Sequence, residues 1–288
     1  MLSDQLRERL REPAYLDLHL AAVAAVGTLG PVPWYDAHFL RCFEAAKIYL
    51  GHVRPDALAR FVDGFAPLRP PPGAGLRKAA GFFSDEIHQR IRDVAANIPQ
   101  RRLELHELEG FGRHVVHDHE WFSALQREVM PKVEELAGCA LEPGYNFLSL
   151  YGGAGRCDPH MDEPISMYTL DYCIDQSEGW PIHFSQIVDW PTRELMHEFD
   201  PADVLGNPAI RFAPQVLEPN EALLFIGSSQ WHYREAIKPG GFCNLLFFHY
   251  YPAGCDDLVR PRRWQQHFGL PELGPLVDLF AEIYAGFE

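Results

Sequence analysis

The chain has 288 residues, 47% of them hydrophobic, which is enough apolar content for one large core with an extension. Its 40 acidic residues against 25 Lys and Arg leave a net charge of -15. That balance excludes nucleic acid and an anionic membrane surface as principal partners, because both are bound through clustered basic side chains, and a small-molecule substrate is expected instead. The start, Met-Leu-Ser-Asp-Gln, lacks the basic residues and unbroken apolar run of a signal peptide. Residues 15–29 are apolar, but Asp17 and His19 interrupt them and they are too short to span a bilayer. A cytoplasmic location is therefore expected. The six cysteines (Cys42, Cys139, Cys157, Cys173, Cys243 and Cys255) have no paired spacing, which suggests reduced thiols.

Taken in order, residues 1–66 read as several short helices. Leu2, Leu6 and Leu10 recur at helical spacing, and Phe39, Phe43, Ala46 and Leu50 do so again after Asp36, a candidate cap. The proline-rich run at 67–75 forbids regular structure and marks a boundary, so residues 1–75 form an N-terminal helical extension with its linker. A dimer surface, a lid and a plain scaffold all fit this extension, a homodimer among them. Ser84 caps a predicted helix to about Asn97, with Asp85 and Glu86 in its first turn and Ile87, Ile91, Val94 and Ile98 on one face. A second helical region at 121–137 is expected to break at Pro131 and to close at Gly138. Between the two helices lies the only histidine cluster, Arg113-His114-Val115-Val116-His117-Asp118-His119. His117 and His119 could share a face, yet the cluster precedes a helix that Asp118 or His119 can cap, and capping is the better reading.

Aromatic and apolar runs at 145–151, 166–174, 222–226, 231–237 and 242–251, separated by Gly and Pro turns, read as strands. The long connection at 189–220, with at most a short strand at 209–212, is a candidate substrate cover, as long ordered loops in compact domains commonly are. Trp180, Trp190 and Trp231 are near the strands in sequence and read first as core. Residues 271–287 form a final helix using Leu276, Phe280, Ile283 and Tyr284. These assignments give an α+β protein with three segments: 1–75, a core at 76–260 and a C-terminal helical segment at 261–288.

The chemistry concentrates in Tyr151-Gly-Gly-Ala-Gly-Arg-Cys-Asp-Pro-His160-Met-Asp162 and in His232, seventy residues further on. A His-x-Asp tripeptide alone carries no weight. Here it follows a strand and a glycine turn, and in an extended segment positions i and i+2 point the same way, so one metal can take both His160 and Asp162. With His232 the set is two imidazoles and one carboxylate, the facial triad of non-haem Fe(II) oxygenases.

On these residues the chain resembles the 2-oxoglutarate/Fe(II)-dependent dioxygenases. The run Leu150-Tyr151-Gly152-Gly153 through Pro159-His160-Met161-Asp162 looks like their prolyl 4-hydroxylase branch. The resemblance covers about residues 81–251. It implies a double-stranded β-helix, the jelly-roll or cupin-like fold, braced by helices. It also implies Fe(II) bound by His160, Asp162 and His232, with 2-oxoglutarate and O2 as co-substrates and hydroxylation of a small-molecule or amino-acid-type substrate. Tyr151, Arg234 and Asn244 are then the residues expected near 2-oxoglutarate. The chain departs from the family where an Arg or Lys normally follows the distal His on the last core strand, because Phe242-Cys243-Asn244-Leu245-Leu246 has no basic residue. A dicarboxylate in a buried pocket needs a cation. Arg234, at i+2 from His232, is the first candidate, ahead of Arg156, Arg211 and Lys238. Two other readings stay open: an iron oxidase whose substrate itself binds the metal, and a non-catalytic cupin-like metal-binding protein.

Overall fold

The computed structural model describes residues 4–29, 34, 36–192 and 201–283. The chain divides into two compact units, one made of residues 1–69, 190–200 and 254–288, the other of residues 70–189 and 201–253. The stretches expected as an N-terminal extension and a C-terminal segment thus share one unit.

The first unit is helical. Its helices are α1 (Asp4–Arg9), α2 (Pro13–Gly27), α3 (His38–Val53) and α4 (Leu58–Asp63), followed late in the chain by Trp264–Phe268 and Gly274–Ile283. Helix α3 starts at His38 with Ala37 at its N-cap position, one residue past Asp36. Aromatic rings form the centre of this unit. Phe39 and Phe43 meet the Trp190 ring edge-on at 5.6 and 5.5 Å, and the Arg69 guanidinium lies 3.7 Å over the same indole. Trp190 is therefore core here, as the composition of its surroundings favours. The expected last helix ends at Ile283 within the described residues; Tyr284 to its C-terminal side, like residues 193–200 of the long connection, lies outside them.

The second unit contains two antiparallel sheets. One runs in the order β1 (Arg77–Ala79), β8 (Ala222–Ile226), β5 (Tyr168–Gln176), β10 (Cys243–Pro252), β3 (Leu141–Tyr151) and β2 (Arg113–His117). The other runs β4 (Cys157–His160), β9 (His232–Arg234), β6 (Ile182–Ser185) and β7 (Phe212–Gln215). Alternation of side chains gives the large sheet two apolar faces. Leu148, Leu170, Tyr172, Leu224, Leu246 and Phe248 pack with Ile91 of α5 (Asp85–Ala96) and with Phe122, Leu125 and Val133 of α7 (Glu120–Ala137). The intervening residues Phe147, Tyr151, Leu223, Phe225, Leu245 and Phe247 cluster with Ile182 and Phe184 of the small sheet. The core that carries the functional residues lies on this second face.

Ser84 caps α5 as its sequence predicts, accepting from the Ile87 N–H at 3.3 Å. Helix α7 differs from expectation: it continues through Pro131 and ends at Gly138, whose φ of 75° is the left-handed cap. Pro131 and Arg127, whose carbonyl loses its partner, are both exposed, so water can satisfy that carbonyl while Phe122, Leu125 and Val133 hold both ends of the helix in the core. Residues 113–117 form strand β2 rather than a lead-in to the helix. His117 pairs with Glu104 there, and His119 is the N-cap residue of α7 without a side-chain cap bond. The short strand expected at 209–212 lies slightly later, at Phe212–Gln215, and pairs with β6.

Candidate metal centre

His160 and His232 stand directly opposite each other on the antiparallel pair β4 and β9, so register alone places both imidazoles on one face, with ring centroids 4.1 Å apart. Asp162 follows β4 by two residues, and its backbone N–H donates to the Gly227 carbonyl at 2.9 Å. The ligand atoms of His160, Asp162 and His232 all lie within 4.8 Å of one another, and no other such group occurs among the described residues. All three side chains are buried.

Each imidazole is fixed in its tautomer. Nδ1 of His160 lies 2.9 Å from the Asp158 carbonyl and Nδ1 of His232 lies 3.0 Å from that of Gln230. A carbonyl only accepts, so both Nδ1 atoms carry a proton, and in the neutral ring Nε2 is the nitrogen left to bind a metal. These Nε2 atoms each sit 3.5 Å from Asp162 Oδ1. Two nitrogen lone pairs and a carboxylate oxygen converging in a buried site form a donor set that suits a cation at its centre. Burial would raise the Asp162 pKa, but His232 and His160 outweigh it and hold this carboxyl well below its usual range. Gly227 has a reason to be glycine: an added Cβ would lie 2.1 Å from Asp162 Oδ2 and 2.7 Å from the Ser166 carbonyl.

Around this centre the sequence reading meets mixed outcomes. Tyr151 is buried on the inner face of β3, where its hydroxyl accepts from Arg113 Nη1 at 2.8 Å and its ring meets Trp180 edge-on at 4.8 Å. Arg234 is also buried inside, but it donates to Asp171 Oδ2 and to the Trp180 carbonyl, each at 2.7 Å. Its charge is already balanced. Asn244 points the other way from Cys243 and Leu245, bonding Asp175, which in turn pairs with Arg92 of α5. It stands on the helix-covered face and does not reach the centre. Arg156 and Lys238 bond surface partners and the exposed Arg211 lies outside the cluster.

Arg113 was not singled out in the sequence, because it sits among histidines before a helix. Alternation along β2 puts Arg113, Val115 and His117 on one face, which is the signal that could have found it. Arg113 is buried and paired with Glu107, and its guanidinium lies 5.2 Å over the Phe147 ring and 5.3 Å over that of Tyr151. Thr169 is a second omission. Thr169 Oγ1 lies 2.8 Å from Asp162 Oδ2 and 3.0 Å from His249 Nδ1.

No family model matches the chain, and no curated protein matches it. Solved structures do. The non-haem alpha-ketoglutarate-dependent carbocyclase SnoK from nogalamycin biosynthesis is 16% identical, with 66% of this chain and 87% of that one covered at a TM-score of 0.48. HygX from Streptomyces hygroscopicus, with nickel, 2-oxoglutarate and hygromycin B bound, is 12% identical over 68% of this chain and 87% of that one, at 0.47. A Pseudomonas putida prolyl-4-hydroxylase is 12% identical over 68% of this chain and 99% of that one, at 0.45. The structural neighbours are thus 2-oxoglutarate- and iron-dependent oxygenases. At this distance the weight rests on the donor set itself. Among the described residues no helix is long and apolar enough to cross a membrane.

Burial pushes His249 down to about 4, so this imidazole is neutral in the folded protein. An unfolded chain takes up that proton near pH 6.5. The metal-free protein should accordingly lose stability as pH falls from about 6.5 to 4, by up to about 3 kcal/mol from this residue. Urea unfolding across that window checks this, and His249→Phe should flatten the dependence.

Proposed function

We propose that this chain is a non-haem Fe(II)- and 2-oxoglutarate-dependent oxygenase that hydroxylates, or otherwise oxidises, a small-molecule or amino-acid-type substrate. The observation that carries the reading is the buried His160/Asp162/His232 set with both histidine tautomers fixed. Three protein ligands on one side of an octahedral metal leave positions for a chelating 2-oxo acid and O2. Iron supplies the oxidising chemistry when bound; the protein holds the metal, seats the co-substrate and keeps bulk water out. The strand arrangement supports the same reading. Successive strands from β3 onward distribute as β3, β5, β8 and β10 in one sheet and β4, β6, β7 and β9 in the other, in the manner of a double-stranded β-helix.

We place the remote carboxylate of 2-oxoglutarate against Tyr151 with Arg113 as its counter-ion. Arg234, expected for this role, is paired with Asp171 as Arg113 is with Glu107, and Arg113 is preferred because it also bonds the Tyr151 hydroxyl on the inner face. Arg113→Met should then weaken 2-oxoglutarate far more than Fe(II), by roughly 10-fold or more for a lost charge-assisted bond worth about 1.5–3 kcal/mol. Unchanged 2-oxoglutarate affinity would move the anchor elsewhere.

One observation favours the second reading, an oxidase whose substrate binds the metal directly. The inner positions Cys243, Leu245 and Phe247 of β10 offer no cation, and among the described residues both buried guanidiniums, Arg113 and Arg234, have carboxylate partners. The deciding experiment is conversion of 2-oxoglutarate to succinate by iron-loaded protein in air. Turnover, even without substrate, that disappears in His232→Ala supports the 2-oxoglutarate reading. Iron-loaded protein that takes up O2 without forming succinate supports the oxidase. A metal-loaded protein that does neither is a cupin-like binding protein.

A further inference from the structure

Thr169 Oγ1 has three polar neighbours: Asp162 Oδ2 at 2.8 Å, the Ser166 carbonyl at 3.1 Å and His249 Nδ1 at 3.0 Å. All four residues are buried, and Thr169 and His249 are only 1% and 2% exposed, so water does not complete these bonds. A hydroxyl has one proton to give, and a carboxylate and a carbonyl can only accept. The shorter, charge-assisted contact to Asp162 takes that proton. His249 Nδ1 must then be the donor to the Thr169 oxygen. A directed chain results, from His249 Nδ1–H to Thr169 Oγ1 and from Thr169 Oγ1–H to Asp162 Oδ2.

This chain is built into the sheet. Thr169 and His249 are paired residues on β5 and β10, so backbone register sets their approach. The His249 ring is wedged against Tyr145 and Phe147, with centroids at 4.3 and 5.4 Å, and its Nε2 has no hydrogen-bond partner. Both observations point to a ring kept for what its other nitrogen does.

We propose that Thr169 and His249 are positioning residues of the metal centre, which tether Asp162 Oδ2 and thereby make Oδ1 the single carboxylate oxygen offered to the metal. Oδ1 is the atom already 3.5 Å from both imidazole Nε2 atoms, whereas Oδ2 is turned toward Thr169. An untethered carboxylate can swing and bind through both oxygens, occupying a position that a chelating co-substrate needs. The inference rests on the metal-centre reading above and deepens it.

The test is anaerobic titration of the full-length metal-free chain and of Thr169→Val, Thr169→Ser and His249→Phe with Fe(II). Each protein is also titrated with Co(II), whose visible absorption reports coordination number. Loss of a group that orients a metal ligand costs roughly 10–100-fold in metal affinity. Thr169→Val should show a loss in that range and an altered Co(II) spectrum. Thr169→Ser, which keeps the hydroxyl, should restore both. His249→Phe reads the chain from its other end and should show the same spectral change with a smaller loss. Thermal melts of the metal-free variants separate these effects from unfolding. Unchanged Fe(II) affinity and Co(II) spectra in folded Thr169→Val and His249→Phe, with normal binding by the parent chain, would overturn the inference alone. Failure of the parent chain to bind either metal would overturn the metal-centre reading and this inference with it.

Discussion

His160→Ala and His232→Ala should each fold and fail to hold stoichiometric iron. The two rings supply two of the three donor atoms, and their backbone tethers, Asp158 in β4 and Gln230 just before β9, are local to each ring. Removing a ligand outright should therefore cost more than the roughly 10–100-fold seen when a residue that only supports a ligand is lost. Neither ring contributes to the helix-covered apolar face, so near-ultraviolet circular dichroism should remain native-like in both variants. Equilibrium dialysis with Fe(II) under argon checks the expectation. Retained iron in either variant would show that the metal binds elsewhere.

Arg234→Met should destabilise the protein by about 3–5 kcal/mol, the usual consequence of leaving one partner of a buried ion pair unpaired. The side chains of Arg234 and Asp171 are 4% and 0% exposed, and Asp171 Oδ1 has no hydrogen-bond partner. Burial pushes the Asp171 carboxyl above its ordinary range even though Arg234 pulls it down, whereas at Arg234 its partners outweigh burial and keep the guanidinium charged, so the desolvation of the pair falls on the carboxylate. That imbalance predicts the behaviour of the double variant. Arg234→Met with Asp171→Leu removes both charges and should return close to parental stability. Chemical unfolding of the parent, the two single variants and the double variant closes the cycle. Additive losses in the double variant would show that the two residues matter separately. Fe(II) affinity should change little in any of them, because neither side chain touches the three ligands.

The donor set was legible because its geometry is local and its residue types are rare together. His160 and Asp162 need only an extended backbone to share a face, and His232 needs only to start a strand. The apolar runs that became β8 and β10 were equally plain, as was α5 with Ser84 at its cap. What escaped the sequence has a common cause, which is pairing across long separations. Strand β2 carries polar residues on its inner face, so Arg113 and His117 looked like part of a capping segment until β3 was beside them. Asp171 reads as a lone charge in an apolar run, and only the packing of the small sheet against the large one brings Arg234 to it. Asn244 was placed near the co-substrate by its position in the chain, yet the alternation of β10 turns it to the opposite face. Thr169 meets His249 through strand register, a relation that no local spacing encodes.

The central claim is that the buried triad binds iron and leaves room for a chelating 2-oxo acid. It is tested most directly by anaerobic titration of the metal-free protein with Fe(II) and then with 2-oxoglutarate, observed by visible absorption. One iron per chain, followed by the charge-transfer band of an iron-chelated 2-oxo acid, is the result this account expects. Iron bound at one equivalent with no band at saturating 2-oxoglutarate would contradict it.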